Sequence, residues 1–220
     1  PLRPSGSQMP LFCIHPGGGL SWSYSGLMRH LPSDRPIYGL QARGIVQPQL
    51  APQTVDEMAA DYLGAIQQVQ PTGPYNLLGW SFGGLVAHAI ATRLQDQGES
   101  VALLALLDSY PINGNGSRQN GYFDDGKLLA DQLKARGYYR EDEPLQVSSA
   151  LAILRREGDI LSNLEEHQVT AILQVLKHNT HLASNFHPQR YDGDMLLFAA
   201  TQGEASPPAE RTRPSSSSTA

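Results

Sequence analysis

The chain has 220 residues, 40% hydrophobic and 17% charged, enough apolar material for the core of one α/β domain and too much for a disordered chain. Its 16 basic against 21 acidic residues give a net charge of −5, which offers no electrostatic footprint for nucleic acid or an anionic membrane. No run approaches the ~18 apolar residues of a membrane-spanning helix, and the segment PLRPSGSQMP has no signal-peptide core, so a cytoplasmic location is expected.

The apolar run Pro10–His15 predicts the first strand; Cys13, the single cysteine, lies inside it and reads as a buried structural thiol. Ile37–Gln41 predicts the second strand. Thr54 with Glu57 three residues on reads as a capping box opening a helix to Val69, with Met58, Tyr62, Ala65, Ile66 and Val69 on its apolar face. Tyr75–Gly79 predicts a buried strand. A helix from Phe82 to about Gln95 follows, whose small residues Gly83, Gly84, Ala87, Ala89 and Ala91 permit close packing on a sheet. Val101–Leu107 suits a helix by composition alone, but it follows the helix-stop sequence Gln97-Gly98-Glu99-Ser100 and so reads as a strand. Between Pro111 and about Ser162 the rhythm breaks. Ile112–Gly121 predicts a loop, and Lys127–Arg136 and Ser148–Arg156 predict two short amphipathic helices, so residues 111–162 read as a lid inserted over the sheet. A longer helix, Glu165–Phe186, carries Val169, Ile172, Leu173 and Leu176 on its inner side. The strand Met195–Ala200 precedes a Ser/Pro-rich stretch, Gln202–Ala220, expected to be a mobile loop or tail. The alternation predicts a single α/β domain over residues 1–220, with a mostly parallel sheet flanked by helices.

Chemistry concentrates at the strand ends. Gly79-Trp80-Ser81-Phe82-Gly83 matches Gly-x-Ser-x-Gly, a nucleophile elbow in which a serine sits on a strained turn between strand and helix. His15-Pro16-Gly17-Gly18-Gly19 follows the first strand. It lacks the Gly-Lys-Ser/Thr ending of a phosphate loop and matches an oxyanion loop, so the backbone amides of Gly17 and Phe82 are the expected oxyanion donors. Asp108 ends the strand next to the elbow strand, where a carboxylate orients a histidine; a plain turn before Pro111 is the alternative. The histidine is unassigned. His167, His178, His181 and His187 follow Asp108 but precede the strand Met195–Ala200, whereas a triad histidine belongs after the last strand. His15 and His88 precede Asp108. His178 and His181 share a helix face but have no third ligand, so no metal is expected.

Taken in order, these segments resemble the thioesterase domains that end nonribosomal peptide synthetases, within the α/β-hydrolase superfamily. The resemblance rests on Pro10–Gly19, Ile37–Gly44 (IYGLQARG), Gln70–Gly84 (QPTGPYNLLGWSFGG), Leu106–Pro111 (LLDSYP) and Tyr191–Ala200, spread over residues 10–200. It implies Ser81 as nucleophile, Asp108 as triad acid, amides near Gly17 and Phe82 as oxyanion hole, and the insertion after Pro111 as a lid. It also implies an acyl or peptidyl substrate carried as a thioester on the 4′-phosphopantetheine of a peptidyl or acyl carrier domain upstream in the same synthetase. No cofactor bound by the domain itself is implied, and release is by hydrolysis or macrocyclisation. Family members continue past the Met195–Ala200 strand to a further strand and the histidine, so this chain is expected to stop before the last strand. Two other readings stand beside this one: a carboxylesterase or lipase of the same fold, and a catalytically incomplete hydrolase fold acting as a carrier-binding module.

Overall fold

The computed structural model describes residues 1–111 and 124–200. Five short apolar segments pair into one sheet: β1 (Leu11–Ile14), β2 (Ile37–Leu40), β3 (Tyr75–Trp80), β4 (Val101–Leu107) and β5 (Leu196–Phe198). Their spatial order is β2-β1-β3-β4-β5, and every pairing is parallel. Parallel strands need long crossovers; α1 (Val55–Val69) lies in the one from β2 across β1 to β3, and α2 (Phe82–Asp96) in the one from β3 to β4. The crossover from β4 to β5 contains α3 (Asp125–Ala135), α4 (Val147–Arg156) and α5 (Glu166–Asn185).

The central strands are buried on both faces, which is why they read as continuous apolar runs. Phe12, Ile14, Tyr75, Leu77 and Leu104 pack with Tyr62 and Ile66 of α1 and Val86, Ile90 and Leu94 of α2 in one cluster. On the opposite face Leu11, Cys13, Ile37, Leu78 and Ala105 close around Tyr24. Cys13 is fully buried, and burial pushes its thiol up to about 12, which makes it inert as a nucleophile. A separate cluster, with Leu129, Leu133, Leu151, Leu154, Val169 and Leu173, holds α3, α4 and the first half of α5 together.

The predicted strands and helices are present, with small shifts at their ends. Val101–Leu107 is a strand, and the last strand shortens to three residues, all exposed at the sheet edge. Thr54 caps α1 by accepting the Glu57 amide at 3.0 Å, while the Glu57 carboxylate accepts from the Gln53 amide at 2.7 Å, one residue further back than a simple capping box. The predicted inner side of α5 does not face the sheet: Val169 and Leu173 belong to the α3–α5 cluster, and Leu182, Ala183 and Phe186 near the helix end join the main core. A 3₁₀ segment, Ser21–Arg29, has no counterpart in the sequence reading. The loop expected over Ile112–Gly121 and the tail expected over Gln202–Ala220 lie outside the described residues. Among the described residues no helix is long and apolar enough to cross a membrane.

Candidate active site

Ser81 stands between β3 and α2 with φ 53° and ψ −121°. Among the described residues, Ser81 and Asp108 are the non-glycine residues with positive φ, and they are the two predicted from the elbow and strand-tip arguments. Such backbone conformations cost on the order of 1–3 kcal/mol each and persist only where the surroundings enforce them. Here they do. The Ser81 amide donates to the Leu107 carbonyl of β4 at 2.8 Å, and the Gly84 amide donates to the Ser81 carbonyl at 3.0 Å. A Cβ at Gly79 would strike the Gly83 backbone, and one at Gly83 would strike the Ile14 and His15 carbonyls. Only glycine lets the helix start this close to the strand tips.

Asp108 directly follows β4, where the chain leaves the extended conformation at φ 47°. Its amide donates to the Phe198 carbonyl at 2.7 Å, and its Oδ1 lies 3.4 Å from the Ala200 amide that donates to it. The carboxylate is therefore held at the tips of β4 and β5, exposed on the same sheet edge as Ser81.

The segment after β1 is fixed from three sides. The Gly19 amide donates to the Pro16 carbonyl, the Ala42 amide donates to the Gly19 carbonyl, each at 2.9 Å, and Asn179 Nδ2 on α5 donates to the Gly17 carbonyl at 2.8 Å. Among the described residues the Gly17 amide donates to no protein acceptor. The Phe82 ring is buried in the core, but its amide is the first of α2, and the first amides of a helix have no acceptor within the helix. Gly17, Gly18, Ser81 and Asp108 line one cavity of about 640 Å³. Its far wall is apolar, built from α3, α4 and α5, and Leu129, Leu133, Leu154, Ile172, Leu173 and Leu176 face it. Gln132, Arg136 and Asp159 supply its polar corner.

None of the 7 histidines lines this cavity. His15 packs beside the elbow, its ring stacked on Phe82 at 6.0 Å, but both nitrogens are engaged. Nδ1–H donates to the Pro16 carbonyl at 2.8 Å, and Nε2 accepts from the Tyr62 hydroxyl at 2.6 Å. Burial lowers it to about 4, against the raising effect of the Pro16 carbonyl, so it is a neutral structural group. His88 sits half-buried on α2 against Tyr191, its basicity lowered by burial. His167 pairs with Glu165, His178 donates to the Pro52 carbonyl, and His181 and His187 both meet Asn185. Among the described residues no group of side chains could hold a metal ion.

Two polar residues of this region escaped the sequence reading. Asn179 is buried on α5 and holds Gly17, and Tyr24 is buried in the 3₁₀ segment and bonds both strand ends beside the site. A polar residue on a helix and a lone tyrosine among serines carry no motif.

Known proteins of similar sequence and fold point to one family. A family model described as the thioesterase domain matches residues 9–216. A dimodular nonribosomal peptide synthase of Bacillus subtilis (strain 168) is 45% identical over 204 residues, covering 91% of this chain and 8% of that protein. Enterobactin synthase component F of Escherichia coli (strain K12) is 32% identical over 203 residues, covering 91% of this chain and 14% of that protein. The chain thus spans a small part of the synthetases it matches. Among solved structures, the NocB thioesterase domain in covalent complex with a fluorophosphonate nocardicin G analogue superposes with a TM-score of 0.66 at 27% identity, over 88% of this chain and 74% of that one. With five parallel strands flanked by helices among the described residues and a serine on the turn from β3 to α2, the chain belongs to the thioesterase-domain family of nonribosomal peptide synthetases, on the α/β-hydrolase fold.

Proposed function

We propose that this domain releases an acyl or peptidyl chain from a carrier-bound phosphopantetheine thioester through an acyl-Ser81 intermediate. The observation that carries the reading is the meeting of two strained residues, Ser81 and Asp108, with Gly17 in one apolar-walled cavity. Ser81 Oγ attacks the thioester carbonyl; the C–O bond forms, the C–S bond breaks, and the pantetheine thiol leaves with the serine proton. The amides of Gly17 and Phe82 receive the oxyanion; Asp108 is placed to orient a base and stabilise its charged form, and that base is not one of the histidines as they stand in this structure. Water, or a nucleophile within the acyl chain, then attacks the ester, giving hydrolysis or macrocyclisation. Residues 111–162 act as the lid over the acyl chain. The partner is a peptidyl or acyl carrier domain, upstream in the same synthetase, and the domain itself needs no cofactor.

A second reading rests on the histidines. With none of them in the cavity, the domain binds the carrier without completing acyl transfer. A carboxylesterase of the same fold would instead turn over free esters and ignore the carrier thioester.

The test is intact mass after incubation with an acyl-phosphopantetheine thioester, with and without imidazole as external base. Ser81→Ala and Ser81→Gly serve as hydroxyl-free controls. An adduct on Ser81, absent from both variants, is expected; dependence on imidazole would show that only the base is missing. No adduct under either condition, from a folded chain that still binds the carrier, would establish the second reading. Ser81→Gly should also be more stable by about 1 kcal/mol, because glycine adopts the positive φ without strain.

A further inference from the structure

We propose that Tyr24 is a positioning residue for acyl transfer, its hydroxyl setting the spacing between the oxyanion loop and the nucleophile. The inference rests on Ser81 being the nucleophile. The phenol donates to the Ile14 carbonyl at 2.5 Å and accepts from the Trp80 amide at 2.7 Å. Ile14 is the last residue of β1, and Trp80 the last of β3. The register Ile14↔Gly79 ends the pairing of these strands. Beyond it one chain turns into His15-Pro16-Gly17 and the other into Ser81, so the hydroxyl sits where the two halves of the site diverge.

Several features suit Tyr24 to this role. Its ring is 3% exposed and wedged among Leu11, Cys13, Ile37, Leu78 and Ala105, so the hydroxyl cannot swing away. Burial raises the phenol above its ordinary value, which keeps the proton that the Ile14 carbonyl accepts. Tyr24 is not among the residues lining the cavity and so does not meet the substrate. Its effect is transmitted through Trp80, adjacent to Ser81, and through Ile14, three residues before Gly17. Oxyanion donors act only within about 2.7–3.1 Å of the developing charge, and a misplacement of about 1 Å can cost on the order of 10²-fold in rate. A hydroxyl bridging the two strand ends is thus positioned to control the rate of acylation without affecting binding.

The experiment follows labelling of Ser81 by an alkyl fluorophosphonate with imidazole present. The Oγ–P bond forms, the P–F bond breaks, fluoride leaves, and imidazole takes the hydroxyl proton. Tyr24→Phe keeps the ring and removes the bridge. Its maximal labelling rate should fall on the order of 10- to 100-fold, while the concentration for half-saturation stays unchanged. Leu27→Ala, which loosens the same apolar cluster but keeps the hydroxyl, should label like the unmodified chain. Amide exchange at Trp80 supplies a readout independent of labelling. The amide should be protected in the unmodified chain, although Trp80 is 43% exposed, and should exchange faster in Tyr24→Phe. Equal labelling rates in Tyr24→Phe and the unmodified chain, equal slowing in Leu27→Ala, or fast Trp80 exchange in the unmodified chain would overturn the proposal and leave Ser81 standing. Absence of labelling in the unmodified chain would overturn the Ser81 reading itself, and this inference with it.

Discussion

Ser81 and Asp108 hold conformations that serine and aspartate rarely adopt, and each is held by a hydrogen bond that its amide donates to a carbonyl of the neighbouring strand: Ser81 to Leu107, Asp108 to Phe198. Their side chains are aimed by backbone geometry, not by side-chain packing, so the aim depends on the sheet. His15 is the opposite case, a histidine whose every polar atom is used for structure. Its folded value of about 4 lies below the ordinary 6.5 because burial penalises the imidazolium. Above pH 6.5 it is neutral in both folded and unfolded chains and costs nothing. As pH falls from 6.5 toward 4, the unfolded chain takes up a proton that the folded chain refuses, and stability drops by about 3 kcal/mol. Urea unfolding at pH 7 and pH 4.5 should show this loss, and His15→Gln should reduce the difference between the two pH values. An unchanged pH dependence in that variant would show that His15 titrates normally.

At the level of elements, α2 explains why this site needs its glycines where they stand. The helix starts directly behind Ser81 and presses on the tips of β1 and β3, so a methyl group at Gly83 meets the carbonyls of Ile14 and His15. Gly83→Ala should therefore cost about 3 kcal/mol, lowering Tm by roughly 6–12 °C. The same substitution at Gly64 in α1, where nothing lies within 4 Å, should stabilise by about 0.5–1 kcal/mol. A pair of thermal melts checks both signs. The elements themselves were legible because short apolar runs end at Gly, Pro or Asp and because Thr54 opens α1 with a side-chain cap. The 3₁₀ segment Ser21–Arg29 was not legible. Its apolar residues Tyr24, Leu27 and Met28 stand at helical spacing and pack in one cluster, but the run is short and set among serines, and Tyr24 also works through hydrogen bonds to strands 10 and 56 positions away in sequence.

In the whole molecule the apolar residues divide between the sheet and the helices above it. The cluster of Leu129, Leu133, Leu151, Leu154 and Leu173 is separate from the one that binds α1 and α2 to the sheet, and the cavity lies between them. On the proposed reading of this region as a lid, such a division would let α3 and α4 open without unfolding the sheet. Leu151→Ala, at a fully buried position of the upper cluster, should cost that unit about 3 kcal/mol. Hydrogen exchange should then accelerate in α3 and α4 while β1, β3 and β4 keep their protection; uniform acceleration would show that the two units open together. The amino-acid sequence by itself determined the α/β class, the strand and helix order and the placing of Ser81 and Asp108 at neighbouring strand tips, because these depend on local pattern and on residue types that tolerate tight turns. The tertiary structure alone decided that the side of α5 read as inner, with Val169, Ile172, Leu173 and Leu176, faces the cavity instead of the sheet, that His15 is engaged by Tyr62 and Pro16, that no histidine lines the cavity with Ser81, and that Tyr24 joins the two strand ends. Those are contacts between residues far apart in the chain, and no local periodicity encodes them.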